Sequence, residues 1–145
     1  MLAASLQLIA DAATIFEDGW LLIGSAAAHV VGADIGAIAD IDLLLSERDI
    51  NALDAHWRDR KRLAAQPSDR FRSQVFHRFD APLPIEAMAG FELKTRNGDW
   101  LWLEPKSRAQ FGAFYAPSLS EQVEILKLMG REKDTPRILA LEKLL

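Results

Sequence analysis

Asp40 and Asp42 flank a single isoleucine in the run Ala39-Asp40-Ile41-Asp42-Leu43-Leu44-Leu45. Side chains alternate across an extended strand, so the two aspartates share one face while Ile41, Leu43 and Leu45 share the other. Two carboxylates held side by side against an apolar strand repel each other and are costly to desolvate. A divalent cation relieves both problems. Mg²⁺ in particular prefers hard oxygen ligands and usually combines one or two carboxylates with substrate phosphates and water. The same spacing also fits two solvated acids at a strand end, or acids paired with nearby arginines, because Asp-x-Asp is short and common.

A second candidate lies upstream. The apolar run Trp20-Leu21-Leu22-Ile23 closes on Gly24-Ser25, and AAAHVV follows, ending at Gly32. Strand, Gly-Ser, then helix places free backbone N–H groups and a hydroxyl at a helix N-terminus, a ready anion site. Ser25 reads as the N-cap, although Gly followed by a cap is also ordinary turn chemistry. The two features together put a phosphate cradle and a metal site on neighbouring strands. Glu86, inside the short apolar segment Ile85–Met88, is a third acid. It either faces the site or stands on an edge strand facing water, since Glu is rarely buried unpaired.

The elements that must position these residues follow from pattern. Leu2, Leu6, Ile9, Ala13 and Phe16 recur at helical spacing and predict a first amphipathic helix ending near Asp18-Gly19. Ile41–Leu45 reads as a second buried strand with Asp40 at its start. A helix begins at Ser46–Asp49 and passes Leu53 and Trp57. Phe71–Phe79 alternates as a strand, Pro82 and Pro84 flank a turn, and Ile85–Met88 is a short inner strand. Asn97-Gly98 between FELKTR and DWLWLE predicts a hairpin. Ser118 with Glu121 forms a capping box for a helix carrying Val123, Leu126 and Met129 and stopped by Gly130. Pro136 suits the first turn of a last helix with Ile138, Leu141 and Leu145. Strands interspersed with helices predict an α+β (mixed α/β) domain with a small mixed sheet. The expected organisation is one domain over 1–145, with a sheet-containing core over 1–105 and C-terminal helices over 106–145.

Composition narrows the classes. The chain has 145 residues, half of them hydrophobic, and no cysteine, so disulfides, thiolate zinc sites and cysteine nucleophiles are excluded. No apolar run approaches the ~20 residues of a membrane helix, and the opening segment lacks a basic region, so neither a membrane span nor a leader is expected. A cytoplasmic location is the simplest expectation. A net charge of −4 argues against sequence-independent binding to long nucleic acid. The middle is locally basic through Arg58, Arg60, Lys61, Arg62, Arg70, Arg72 and Arg78, which leaves room for a small anionic ligand, although Arg58–Arg62 is most simply a solvated helix end. His29, His56 and His77 lack metal-ligand spacing. Trp100 and Trp102 alternate on a hairpin strand and suit a packed or partner-facing surface better than base stacking.

With these residues in place, WLLIGSAAAHVVG…ADIDLLLS resembles the signature of the nucleotidyltransferase superfamily, the polymerase-β-like fold. The resemblance implies that Gly24 and Ser25 hold the triphosphate and that Asp40 and Asp42 bind one or two Mg²⁺. Pro84-Ile85-Glu86-Ala87-Met88 is similar to the family's third-acid strand, which implies that Glu86 completes the metal site. The tail SLSEQVEILKLMGREKDTPRILALEKLL is similar to the closing helices of small stand-alone members of the antibiotic and abortive-infection type. That likeness implies that Lys127, Arg131 and Lys133 reach the triphosphate or acceptor; basic residues near a helix C-terminus also interact with its dipole. Three features depart from the family pattern: a long spacing from Gly-Ser to Asp-x-Asp, alanines after Ser25, and Glu in place of Asp as third acid.

The implied activity is Mg²⁺-dependent transfer of a nucleoside monophosphate from an NTP, such as ATP, to an acceptor, with release of pyrophosphate. Asp40, Asp42 and Glu86 would be the catalytic and metal-binding acids, and Gly24, Ser25, Lys127 and Lys133 the nucleotide-binding residues. The acceptor classes implied are a small hydroxyl compound, a tRNA end or a protein side chain. An alternative is an inactive binding or regulatory module of the same fold, part of a toxin–antitoxin pair, or a homodimer joined through the Trp100–Trp102 hairpin. A metal-dependent phosphohydrolase has little support, because no histidine cluster accompanies the acids.

Overall fold

The computed structural model describes residues 1–145. Helix α1 (Leu2–Ala12) runs through a 3-10 turn (Ala13–Ile15) to strand β1 (Leu21–Ile23), which leads directly into helix α2 (Gly24–Val30). Strand β2 (Ile41–Leu44), helix α3 (Glu47–His56) and strands β3 (Arg62–Leu63), β4 (Phe71–Phe79), β5 (Ile85–Lys94) and β6 (Trp100–Trp102) follow. A small hairpin, β7 (Ala109–Phe111) and β8 (Phe114–Ala116), precedes helix α4 (Leu119–Met129), a 3-10 turn (Glu132–Asp134) and helix α5 (Thr135–Glu142). No helix is long and apolar enough to cross a membrane.

Six strands form one sheet in the order β1-β2-β5-β4-β3, with β6 also on β5. The β2–β5 pair is parallel and the other pairs are antiparallel, so the expected mixed sheet of an α+β domain is present. Strand β5 is its spine. Ile85–Met88 pairs with β2, Glu92–Lys94 pairs with β6, and β4 runs along nearly the whole length. Glu86 therefore lies on an interior strand, not on an edge.

The sheet separates two apolar cores. Ile41, Leu43, Leu45, Ile85 and Ala87 pack with Leu6 and Ile9 of α1 and Ile50 and Leu53 of α3. On the other side Ile23, Met88, Phe91 and Leu93 pack with Val123, Leu126 and Met129 of α4 and Leu141 of α5. Helix α2 contributes to both: Ala26 and Ala27 join the first core and Ala28 the second. All three alanines are almost fully buried. The alanines after Ser25 are thus a packing requirement, since larger side chains there would overpack both cores.

Several expectations are corrected in detail. The inner strand at Ile85–Met88 is the first half of a ten-residue strand. Its alternation changes phase at Gly90: Met88 faces the second core, and so do Phe91 and Leu93. Gly90 takes φ +62°, and a β-carbon there would stand 2.7 Å from the Gln74 side chain folded across it. That phase break hides the strand's continuity from a period-two reading. Residues 106–118 carry the β7–β8 hairpin rather than helix. Of the capping box, Ser118 Oγ accepts from the Glu121 N–H as expected, but Glu121 does not reach back. Its carboxylate accepts instead from the N–H groups of Lys106 and Ser107 and from the Ser107 hydroxyl. Burial alone would raise the Glu121 carboxyl, but these hydrogen bonds hold it below the ordinary range. The Asn97-Gly98 hairpin, the Ser46 cap and the Gly130 stop are present as read.

Candidate active site

Strand register alone assembles a row of side chains across the sheet. Ile23 of β1 lies opposite Asp42 of β2, Asp42 beside Glu86 of β5, and Glu86 opposite Arg78 of β4. Directly paired residues share a face, and this face is the one covered by α4 and α5. Asp40 sits one residue ahead of β2, and its carboxylate turns into the same place. One oxygen from each of Asp40, Asp42 and Glu86 lies within 4.8 Å of the others. Three carboxylates from two strands thus converge, as the Asp-x-Asp and third-acid readings require.

Arginines compensate the charge of this cluster only in part. Burial, with the Asp40 charge second, pushes Asp42 up to about 7, although the Arg137 guanidinium pulls it back. Burial, the Asp42 charge and a hydrogen bond with Asp40 push Glu86 up to about 8, against the pull of Arg78. Arg78 Nε stands 3.8 Å from Glu86 Oε1. That distance is an ion pair but not a hydrogen bond, and Arg78 Nε is buried with no hydrogen-bond partner. Three hard oxygen donors this close together could hold a divalent cation.

Gly24 meets the acids at the start of α2. Its φ is +64°, and a β-carbon on it would stand 2.9 Å from Asp42 Oδ2. Both backbone conformation and space therefore require glycine. Ser25 is not the N-cap: Ile23 holds that position, and no side chain caps α2. Ser25 lies inside the first turn, where its hydroxyl accepts a hydrogen bond from Arg137 Nη2 at 2.8 Å.

These groups form one end of a cleft of about 720 Å³ between the sheet and the C-terminal helices. Gly24, Ser25, Asp40, Asp42, Glu86, Lys133 and Arg137 are among its polar lining, and Phe76, Met88, Phe91, Leu103 and Met129 among its apolar lining. Residues 65–68 form part of the rim. Arg131 also lines the cleft, but its guanidinium is tied to Asp134 at 2.7 and 3.0 Å. Lys127 is elsewhere: it is exposed and pairs with Glu142 at 3.4 Å. The structure thus puts Lys133 on the lining of the cleft and leaves Lys127 outside it.

The discounted residues stay apart from the acids. His29 and His56 are exposed, and His77 Nδ1 lies 2.9 Å from Asp54. Trp100 carries the Arg72 guanidinium 4.0 Å from its ring centre, and Trp102 is 55% exposed. Arg78 figured in the sequence only as part of the basic middle of the chain, and Arg137 not at all. The i, i+4 spacing of Lys133 and Arg137 was an available signal for the second, but Arg78 becomes visible only once β4 is registered against β5.

No protein-family model matches the chain, and no curated protein matches it in sequence. Solved structures do match in shape. A protein from Thermotoga maritima assigned as a nucleotidyltransferase superposes with a TM-score of 0.68 at 15% identity, covering 97% of this chain and 92% of its own. The lincosamide antibiotic adenylyltransferase LnuA, in its lincomycin-bound form, superposes with a TM-score of 0.66 at 13% identity, covering 97% and 96%. The likeness spans nearly the whole of each chain and is one of fold: this chain has the nucleotidyltransferase fold.

Proposed function

We propose that the chain is a divalent-metal-dependent nucleotidyltransferase that moves a nucleoside monophosphate from an NTP to an acceptor hydroxyl. The observation that carries this reading is the convergence of Asp40, Asp42 and Glu86 within 4.8 Å on the lining of the cleft. The donors fit the metal: all are carboxylate oxygens, and burial raises two of them toward neutral pH in the absence of a cation. Mg²⁺ bound by these three residues would offset charge on the triphosphate and on the departing pyrophosphate.

The remaining chemistry belongs to the chain itself. The acceptor oxygen attacks the α-phosphorus, the α–β phosphoanhydride bond breaks, and pyrophosphate leaves with that bond's electron pair. Alternatively Glu86, left free by a metal held on Asp40 and Asp42, would take the acceptor's proton on a carboxylate oxygen. Gly24, with no side chain, lets a phosphate approach the backbone beside Asp42. Lys133, which lines the same cleft, would supply a cation for the phosphate chain. The apolar part of the lining gives the remainder of the substrates a surface that sheds water. The adenylyltransferase neighbour supports ATP as the first nucleotide to test and a small hydroxyl compound as the first acceptor class. Transfer to a tRNA end or a protein side chain is then an outcome of the same screen.

The test is transfer from ATP labelled at the α-phosphate, with Mg²⁺ and a panel of hydroxyl acceptors, read beside pyrophosphate release. Labelled product from wild type and none from Asp42→Asn is expected. Equal turnover by Asp42→Asn would overturn the mechanism.

A further inference from the structure

Three arginines line the cleft, and they are not equivalent. Arg72 is paired with Glu92 at 2.6 Å, and Arg131 is locked to Asp134. Arg137 has no carboxylate within ion-pairing distance; its one protein acceptor is the neutral Ser25 hydroxyl, 112 residues away in sequence. A half-buried guanidinium presents five N–H donors in a rigid fork suited to carboxylate or phosphate, and four of these five remain open. Keeping such a cation half-buried without an anion is unfavourable. The fold nevertheless holds it at the acid end of the cleft, close enough to Asp42 to stabilise that group's charge.

We propose that Arg137 is a phosphate-binding residue of this cleft, with Ser25 holding its guanidinium in place for the phosphate chain of the nucleotide. The inference rests on the nucleotide-binding reading above and adds a residue to it. Asp42 is already satisfied when a cation sits among the three acids, so Arg137 is then the cleft arginine free to pair with an arriving anion. Its seat on α5 also makes the C-terminal helix part of the phosphate site, next to Gly24 and Ser25.

Calorimetry with magnesium tripolyphosphate, magnesium ATP and Mn²⁺ alone tests this on wild type, Arg137→Gln and Arg137→Lys. Arg137→Gln should bind tripolyphosphate and ATP about 10- to 100-fold more weakly, as expected for loss of a charge-assisted pair. Arg137→Lys should fall between the two, because it keeps the charge and loses the fork. Mn²⁺ alone should bind Arg137→Gln at least as tightly as wild type, since a competing cation has gone; a purely structural defect would weaken Mn²⁺ and phosphate binding together. Wild-type affinity for tripolyphosphate in Arg137→Gln overturns the proposal. Should that variant not fold, wild-type affinity in Arg137→Lys overturns it as well. Failure of wild type itself to bind either phosphate compound sinks the underlying nucleotide reading, which is a separate outcome.

Discussion

Gly24 and Asp42 are fitted to each other: a β-carbon on residue 24 would stand 2.9 Å from Asp42 Oδ2, on a backbone with φ +64°. Real β-carbons do not approach an oxygen that closely, and side chains other than glycine's are strained at this φ. Gly24→Ala is expected to cost about 1–3 kcal/mol in urea unfolding. Because the displaced group is a candidate metal ligand, Mn²⁺ affinity should fall as well. Unchanged stability and unchanged Mn²⁺ affinity in this variant would contradict the geometry.

Asp42→Asn separates the chemical role of the acid from its structural one. Ionised Asp42 is opposed by burial and by Asp40, so its removal relieves strain in the metal-free fold. The variant should lose nucleotidyl transfer yet be at least as stable as wild type at pH 8 with chelator present. A clear drop in melting temperature under those conditions would show that Asp42 holds the fold together instead.

The same acids predict a pH dependence. Asp42 and Glu86 are raised in the folded state to about 7 and about 8, from ordinary values of 3.8 and 4.5. Between those limits the unfolded chain releases protons that the folded chain keeps, so stability is fully present near pH 4 and falls as pH rises through 7 and 8. Relative to the double variant Asp42→Asn/Glu86→Gln, metal-free wild type should lose on the order of a few kcal/mol from pH 5 to pH 9. Saturating Mg²⁺ should remove most of that slope. Urea unfolding at fixed pH values measures it, and parallel profiles for wild type and double variant would count against the cluster.

Lys127 and Lys133 both match the tail signature, but only Lys133 lines the cleft. Lys127→Ala removes an exposed pair with Glu142 and should change KM for the nucleotide by less than about twofold. Lys133→Ala should raise that KM several-fold with a smaller effect on stability. Steady-state kinetics of the two variants decide the matter, and the reverse order would place the phosphate chain on the other side of α4.

Much of this site could be read from the chain because its key residues sit close together in sequence on a strand with strong alternation. Asp40 and Asp42 are placed by Ile41, Leu43 and Leu45, whose burial leaves the acids only one face to occupy. Gly24 announced itself by ending an apolar run. Glu86 was legible as an acid among apolar residues, but its interior position needed β5 to be paired on both sides. The continuity of that strand was hidden by the phase change at Gly90, and the β7–β8 hairpin by a short segment with little alternation. Ser25 looked like a cap because its type suits one; the cap position falls two residues earlier, at Ile23, which frees the hydroxyl for Arg137. That contact joins residues 112 apart, and no local pattern encodes it.

The most direct test of the account is calorimetric titration of each NTP into wild type and into Asp40→Asn/Asp42→Asn, with and without Mg²⁺. Binding to wild type that requires Mg²⁺ and disappears in the double variant is expected. Binding of equal strength in the variant, or no binding of any NTP to wild type, would contradict it.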